Sequence, residues 1–190
     1  MPKLMIIVGS VREGRIGLPI AQWVHHIAET DGRFEIDWAD LKEIDLPLMD
    51  EPNHPRLGQY TRDHTRAWSQ RITAVDAFIF VQSEYNHSYP SGLKNALDYL
   101  YTEWFRKPVA TVSYGGVSGG TRSVVALRPT LAALGLVPTT VNVELPWAAK
   151  QIADNGTFQP RERQEELLVS ALDELVNLNE ALTPLREASH

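Results

Sequence analysis

Three short polar segments of the chain combine residue types that can bind a phosphorylated ligand. The first is GSVREGRIG, from Gly9 to Gly17, and it follows an apolar run. Its serine and arginines can hydrogen bond an anion, and its glycines let the backbone approach one closely. A helix that starts here would add free backbone N–H groups and a partial positive charge. We therefore expect Ser10, Arg12 and Arg15 to bind a phosphate.

This first segment differs from two well-known phosphate loops. The loop of nucleoside triphosphatases needs Lys followed by Ser or Thr, whereas this chain has Arg15 followed by Ile16. The dinucleotide fingerprint G-x-G-x-x-G is also absent from this turn. A phosphate held by serine and arginine without a metal ion suggests a monophosphate. A glycine-containing connection with solvated arginines is the alternative interpretation of the same residues.

The second and third segments could form the walls of a site for a flat ligand. SEYNHSYPSGLKNALDYL (83–100) places a carboxylate, a phenol, an amide and an imidazole side by side, and SYGGVSGGTR (113–122) has four glycines within six residues. Glycines suit a main chain that lies against a ligand, although a flexible turn would also use them. With the ring faces of Tyr85 and Tyr89, the segments suit a partly apolar ligand with one phosphate. FMN fits this description, and so does another phosphorylated aromatic compound.

Alternating strands and helices are predicted to position these segments. Strands are predicted over residues 3–9, 34–39, 77–82, 109–114 and 137–143, and helices over 16–29, 59–73, 91–103, 120–134 and 161–182. This rhythm predicts one α/β domain over residues 1–190, with a doubly wound parallel sheet and helices on both faces. Ligands of such sheets bind beyond the carboxyl ends of the strands, where the three segments would meet. Residues 41–58 are predicted to form a long irregular loop.

Composition excludes several classes of protein. The chain has 190 residues, no cysteine and a net charge of -6. Disulfides, thiolate metal sites and cysteine nucleophiles are therefore excluded. The acidic balance argues against a nucleic-acid partner and requires a local basic pocket for any anionic ligand. No apolar run reaches the ~18–20 residues of a membrane span, and the N-terminus lacks signal-peptide features. We expect a cytoplasmic protein with no metal site and no membrane partner.

At the three segments the sequence resembles the NADPH-dependent FMN reductase family. The resemblance covers roughly residues 3–143 and rests on GSVREGRIG, SEYNHSYPSGLKNALDYL and SYGGVSGG, which occur in the family's order. It implies a flavodoxin-like fold, with five strands in the order 2-1-3-4-5, and a bound FMN. The family usually has proline where this chain has Ser83.

The resemblance also implies which residues contact FMN. Ser10, Arg12 and Arg15 would hold its phosphate, with Ile16 and Gly17 at the start of the helix. The other implied contacts, largely through backbone groups, are Glu84, Tyr85, Asn86, His87, Ser113, Gly115 and Gly116. No side chain is predicted to be catalytic, because the flavin carries the redox chemistry. Trp147, after the last predicted strand, is expected to pack at an edge of the core and not to cover the ligand.

The activity implied by the resemblance is transfer of hydride from NADPH or NADH to FMN, followed by reduction of a small acceptor in ping-pong turnover. Quinones, azo compounds, metal ions such as chromate and free flavins are the implied acceptors. The resemblance further implies a homodimer or homotetramer with the flavin near the subunit interface. Two alternatives stay open: a non-catalytic flavin-binding electron carrier or redox sensor, and a nucleotide- or sugar-phosphate enzyme without flavin.

Overall fold

A five-stranded parallel sheet forms the centre of the computed structural model, which describes residues 1–188. The strands are β1 (Lys3–Val8), β2 (Glu35–Asp40), β3 (Ala77–Ser83), β4 (Pro108–Gly115) and β5 (Val137–Pro146). Their order is β2-β1-β3-β4-β5, and each neighbouring pair is parallel. This arrangement confirms the predicted doubly wound sheet and its strand order.

Helices cover both faces of the sheet. They are α1 (Gly17–Asp31), α2 (Leu41–Ile44), α3 (Asp63–Thr73), α4 (Ser91–Asp98), α5 (Thr121–Leu134) and α6 (Glu162–Glu187). One core lies between the sheet and helices α1 and α6, and the other lies between the sheet and helices α3, α4 and α5. Strand β1 supplies Leu4, Ile6 and Val8 to the first core and Met5 and Ile7 to the second. Because both faces of the strand are buried, its sequence is continuously apolar.

Two helices are shorter than their apolar periodicity predicts. The helix expected over 59–73 begins at Asp63, because the Glu51 carboxylate accepts the backbone N–H groups of Thr61 and Arg62 at 2.9 Å each and holds them outside the helix. The helix expected over 91–103 ends at Asp98. Beyond it the chain turns and buries Trp104, whose indole N–H donates to the Leu97 carbonyl at 3.2 Å. Tertiary burial therefore overrides local periodicity at this helix end.

The helix predicted over 161–182 continues five residues further, to Glu187, and the remaining predicted elements agree with the structure to within three residues at each end. The segment predicted as an irregular loop over 41–58 contains helix α2 and a single 3-10 turn at Pro55–Leu57. Strand β5 runs three residues beyond its predicted end, to Pro146. Within residues 1–188, no helix is long and apolar enough to cross a bilayer.

The connections after β1, β3 and β4 lie together at the carboxyl edge of the sheet. The backbone N–H of Gly9 donates to the Val81 carbonyl at 2.9 Å, and that of Glu84 donates to the Tyr114 carbonyl at 3.0 Å. These hydrogen bonds extend the strand pairing into the three segments that the sequence singled out. Backbone hydrogen bonds therefore hold the segments together without help from their side chains.

Candidate functional site

A cavity of about 350 Å³ opens between the three segments at the carboxyl edge of the sheet. Most of the predicted site residues line it: Ser10, Arg12, Arg15, Ile16, Glu84, Tyr85, Gly115 and Gly116. Five lining residues were not predicted: Ser83, Tyr114, Trp147, Ala149 and Lys150. The cavity therefore lies where the topology of an open α/β sheet places ligands.

Four hydroxyl groups lie together at one end of the cavity. The Oγ of Ser10 is 2.7 Å from the phenol oxygen of Tyr85. The Oγ of Ser83 and the hydroxyl of Tyr114 lie beside this pair. Both are buried, and among residues 1–188 neither makes a hydrogen bond of good geometry, although Ser83 is close enough to interact with both phenols. Buried polar groups in folded proteins nearly always have partners. A ligand group rich in acceptor oxygens, such as a phosphate, would satisfy these two hydroxyls.

The two phenols of this cluster differ in acidity. Burial raises the pKa of Tyr114 to about 12, so its hydroxyl stays protonated at neutral pH and can donate to an anion. Burial acts in the same direction on Tyr85, but the hydroxyls of Ser10 and Ser83 and the guanidinium of Arg12 outweigh it and lower the pKa of Tyr85 below 10. Arg12 therefore adds positive charge at this end of the cavity.

Arg15 is paired with a buried carboxylate that sequence analysis missed. Its guanidinium donates to Oδ1 and Oδ2 of Asp40 at 2.6 and 2.5 Å, and also to the carbonyl of Ser10 at 2.6 Å. The side chains of Arg15 and Asp40 are 9% and 0% exposed. Asp40 compensates the charge of Arg15, so Arg15 fixes the backbone at Ser10 and Arg12 keeps the uncompensated charge of this segment.

Glu84 ties the second segment to the glycine-rich third segment. Its carboxylate accepts hydrogen bonds from Ser118 Oγ at 2.8 Å, from Arg122 Nε at 2.6 Å and from the Arg122 backbone N–H at 3.2 Å. Burial alone would raise the pKa of Glu84, but Arg122 and Ser118 outweigh it and lower the pKa below 4.5. A carboxylate held ionised in this way positions the cavity wall and is unsuited to donate a proton at neutral pH.

This ion pair predicts a pH dependence of stability. Because the pKa of Glu84 is lower in the folded chain than its ordinary value of 4.5, its contribution is complete above that value and is lost as the pH falls through the folded-state pKa. We expect the free energy of unfolding to fall less steeply in Glu84→Gln than in the wild type as the pH is lowered below 4.5. Urea unfolding over this pH range measures both slopes.

Glu166→Gln, in an exposed pair with Arg163, is the matched control for Glu84→Gln. It should keep the wild-type slope, because exposed ion pairs contribute little. Equal slopes in the wild type and in Glu84→Gln would contradict the assigned pair.

Four predicted residues do not line the cavity. Ser113 is buried and donates its hydroxyl to the Gly119 carbonyl at 2.9 Å. Gly17 packs against the Tyr114 ring, where a Cβ atom would lie 2.3 Å from the phenol oxygen. Asn86 and His87 are exposed in a turn and have positive φ angles of 49° and 67°. These positions shape the backbone of the site and do not line the cavity.

The expectation that Trp147 packs at an edge of the core is wrong. Its indole is 51% exposed and lines the cavity on the side of the glycine-rich segment. The backbone N–H of Trp147 donates to the Gly116 carbonyl at 2.9 Å, and the Nζ of Lys150 lies 5.1 Å from the centre of the indole ring. The position of Trp147 and Lys150 directly after the last strand was the signal in the sequence that could have placed them at the cavity.

The fold is doubly wound α/β, and its cavity combines a cationic hydroxyl cluster with a glycine-rich wall and an exposed indole. These features are typical of proteins that bind a phosphorylated aromatic cofactor. The chain matches the model of the NADPH-dependent FMN reductase family over residues 2–148. It therefore belongs to that family and is an NAD(P)H-dependent flavoenzyme with FMN as its cofactor.

Curated relatives agree with this assignment. The NAD(P)H-dependent FMN reductase of Schizosaccharomyces pombe is 46% identical over 121 residues, which are 63% of this chain and 60% of that protein, less than two thirds of its length. The NAD(P)H-dependent FMN reductase of Saccharomyces cerevisiae is 35% identical over 178 residues, which are 87% and 93% of the two chains. The quinone reductase of Pseudomonas putida is 29% identical over 185 residues, which are 93% and 96%.

The fold also matches solved structures. The flavoenzyme NAD(P)H:(acceptor) oxidoreductase FerB from Paracoccus denitrificans is similar with a TM-score of 0.75 at 24% identity, over 96% of this chain and 99% of that one. This similarity supports the flavodoxin-like architecture.

Proposed function

We propose that the chain passes reducing equivalents from NAD(P)H, through FMN held in this cavity, to a small acceptor by ping-pong turnover. Quinones are the first acceptor class to test, because the Pseudomonas putida relative is a quinone reductase. The observation that carries the proposal is the hydroxyl cluster beside the charged Arg12, in which Ser83 Oγ and Tyr114 Oη are buried without a hydrogen bond of good geometry among residues 1–188. Bound FMN supplies the redox chemistry, and the residues of the chain bind and orient it.

The two ends of the cavity have separate roles in this proposal. Ser10, Arg12, Ser83 and Tyr114 hold the phosphate, and Arg15 acts through the carbonyl of Ser10. The glycine-rich segment and the exposed indole would flank the ring, because the absence of side chains at 115 and 116 leaves room for a flat ligand against the backbone. Backbone donors there would also favour the added charge of the reduced ring.

The size of the cavity supports the use of one site by NAD(P)H and the acceptor in turn. Ligand pockets commonly have volumes of about 300–1,000 Å³. A cavity of about 350 Å³ is at the small end of this range, so FMN would fill most of it. NAD(P)H and the acceptor would then approach the exposed side of the ring in turn, which is the condition for ping-pong turnover.

Anaerobic titration with NADPH tests the proposed function. The purified protein should take up FMN and show a yellow absorbance band that NADPH bleaches, and a quinone should restore the band. Initial rates of NADPH oxidation at several quinone concentrations should give parallel double-reciprocal lines. Bound FMN that NADPH does not reduce would instead indicate an electron carrier or redox sensor. A protein that takes up no FMN would contradict the proposal.

Tyr114→Phe should change stability and FMN affinity in opposite directions. Removing a buried hydroxyl that makes no hydrogen bond of good geometry should leave the ligand-free protein as stable as the wild type or more stable, by up to about 1–3 kcal/mol. The same change should weaken FMN binding roughly fivefold or more, because one phosphate hydrogen bond is lost. Urea unfolding and quenching of flavin fluorescence measure the two quantities. Weaker stability with unchanged FMN affinity would contradict the role assigned to Tyr114.

We also propose a cytoplasmic homodimer or homotetramer. Leu48, Leu57 and Phe105 are 85%, 60% and 46% exposed, which supports burial of part of this apolar surface in an assembly. Light scattering at micromolar concentration should report a multiple of the 21.3 kDa chain mass. A mass of one chain would contradict this part of the proposal.

A further inference from the structure

The charges that line the cavity are not balanced. Arg15 is compensated by Asp40, and Glu84 is compensated by Arg122. Two further cations, Arg12 and Lys150, line the same cavity. Within residues 1–188 neither of them is in an ion pair shorter than 4 Å. The cavity therefore carries two uncompensated positive charges in a chain whose net charge is -6.

These two cations have different neighbours in the cavity. Arg12 lies at the hydroxyl cluster, where it faces the phenol of Tyr85. Lys150 lies against the exposed Trp147 indole, whose Cζ3 is 4.0 Å from where a Cβ atom on Gly116 would be, and we call this the ring end of the cavity. If the phosphate of FMN takes the Arg12 end, the charge of Lys150 is left for the ring end.

The local backbone fixes the main chain of Lys150, and the indole of Trp147 orients its exposed side chain. The N–H of Lys150 donates to the Trp147 carbonyl at 2.8 Å, and the N–H of Trp147 donates to the Gly116 carbonyl at 2.9 Å. The ammonium rests against the face of the indole, 5.1 Å from its centre. A cation–π contact of this kind stabilises a position without neutralising the charge. The ammonium is therefore positioned beside the glycine-rich wall and still available to a ligand.

We propose that Lys150 stabilises the negative charge that bound FMN gains when NAD(P)H reduces it. This inference rests on the proposed function, which places the flavin ring at the Gly116 end. Hydride transfer moves two electrons and one proton from NAD(P)H to FMN, and NAD(P)⁺ leaves. The flavin therefore gains one negative charge unless it takes a second proton from solvent. A fixed cation beside the ring favours the reduced, charged form over the oxidised, neutral ring.

The readout is the two-electron reduction potential of the bound FMN, measured against a reference dye over a range of pH. In Lys150→Met, reduced FMN should bind about tenfold more weakly relative to oxidised FMN, which lowers the potential by about 30 mV. The pH at which the reduced ring takes up its second proton should rise by about one unit, since tenfold in an equilibrium is one pKa unit. Lys150→Arg should keep the wild-type potential because it keeps the charge.

Lys42→Met is the matched control, because Lys42 is exposed and lines a different cavity, beside helix α2. It changes the net charge by the same amount and should leave the potential unchanged. An unchanged potential in Lys150→Met would overturn the proposal, and so would an equal shift in Lys42→Met. If the wild type takes up no FMN, the proposed function fails as well. If FMN binds and NADPH reduces it, but the reduction potential is the same in Lys150→Met and in the wild type, only this inference fails.

Discussion

Asp40→Asn should lower the free energy of unfolding by about 3–5 kcal/mol, the range for breaking a buried ion pair by removing one partner. The substitution keeps the shape of the side chain and the Oδ1 acceptor that caps helix α2 at the Lys42 N–H. It removes the charge that compensates Arg15, whose side chain is only 9% exposed. The guanidinium is then left desolvated without a counter-charge. Equilibrium unfolding in urea measures the loss.

Asp98→Asn is the control for Asp40→Asn, because it breaks an exposed pair with Lys94 on helix α4. It should cost less than about 1 kcal/mol. Replacing both partners of the buried pair, as Arg15→Met with Asp40→Leu, should recover much of the stability lost in Asp40→Asn. The double variant should bind FMN more weakly than the wild type does, because Arg15 no longer fixes the carbonyl of Ser10. A loss below 1 kcal/mol in Asp40→Asn would contradict the account of this pair.

Gly120→Ala should destabilise the chain and also weaken FMN binding. Gly120 has a φ angle of 90°, and a Cβ atom there would lie 2.7 Å from the Cβ of Ser113 and 2.8 Å from the backbone N of Tyr114. The clash is with backbone and cannot be relieved by rotating a side chain. We expect a loss of about 3 kcal/mol or more, the sum of strain at positive φ and overpacking. The same shift moves Tyr114 and the glycine-rich wall, so FMN affinity should fall at least tenfold.

Gly156→Ala separates strain from clash. Gly156 has a φ angle of 82°, and a Cβ atom there would meet nothing within 4 Å. Its substitution should cost only about 1–2 kcal/mol of backbone strain and leave FMN affinity unchanged. Thermal and urea unfolding of both variants, with FMN titrations, make the comparison. Equal losses of stability in the two variants would mean that the close approach at Gly120 does not matter.

The residues that sequence analysis found are those with a local signal. Ser10, Arg12 and the glycines at 115 and 116 follow buried strands directly, so the order of elements alone places them at the carboxyl edge of the sheet. Strands β1, β3 and β4 were predictable because a strand buried on both faces has a mostly apolar sequence. The end of helix α4 was not predictable, because burial of Trp104 decides it.

The residues that sequence analysis missed depend on pairing between distant segments. Asp40 meets Arg15 because β2 pairs with β1 so that Val8 is opposite Asp40. This register has no local signature. Tyr114 was missed for a different reason. Ser113 and Tyr114 point to opposite faces of β4, and sequence analysis named Ser113 without weighing its neighbour.

The central claim is that the phosphate of FMN binds at Arg12 and the hydroxyl cluster. The most direct test compares the affinities of FMN and riboflavin, which lacks the phosphate, for the wild type and Arg12→Ala. A charge-assisted hydrogen bond contributes about 1.5–3 kcal/mol, or roughly 10- to 150-fold in affinity. We predict that Arg12→Ala weakens FMN binding by this factor and leaves riboflavin binding unchanged. An equal effect on both ligands, or no effect on FMN, would contradict the account.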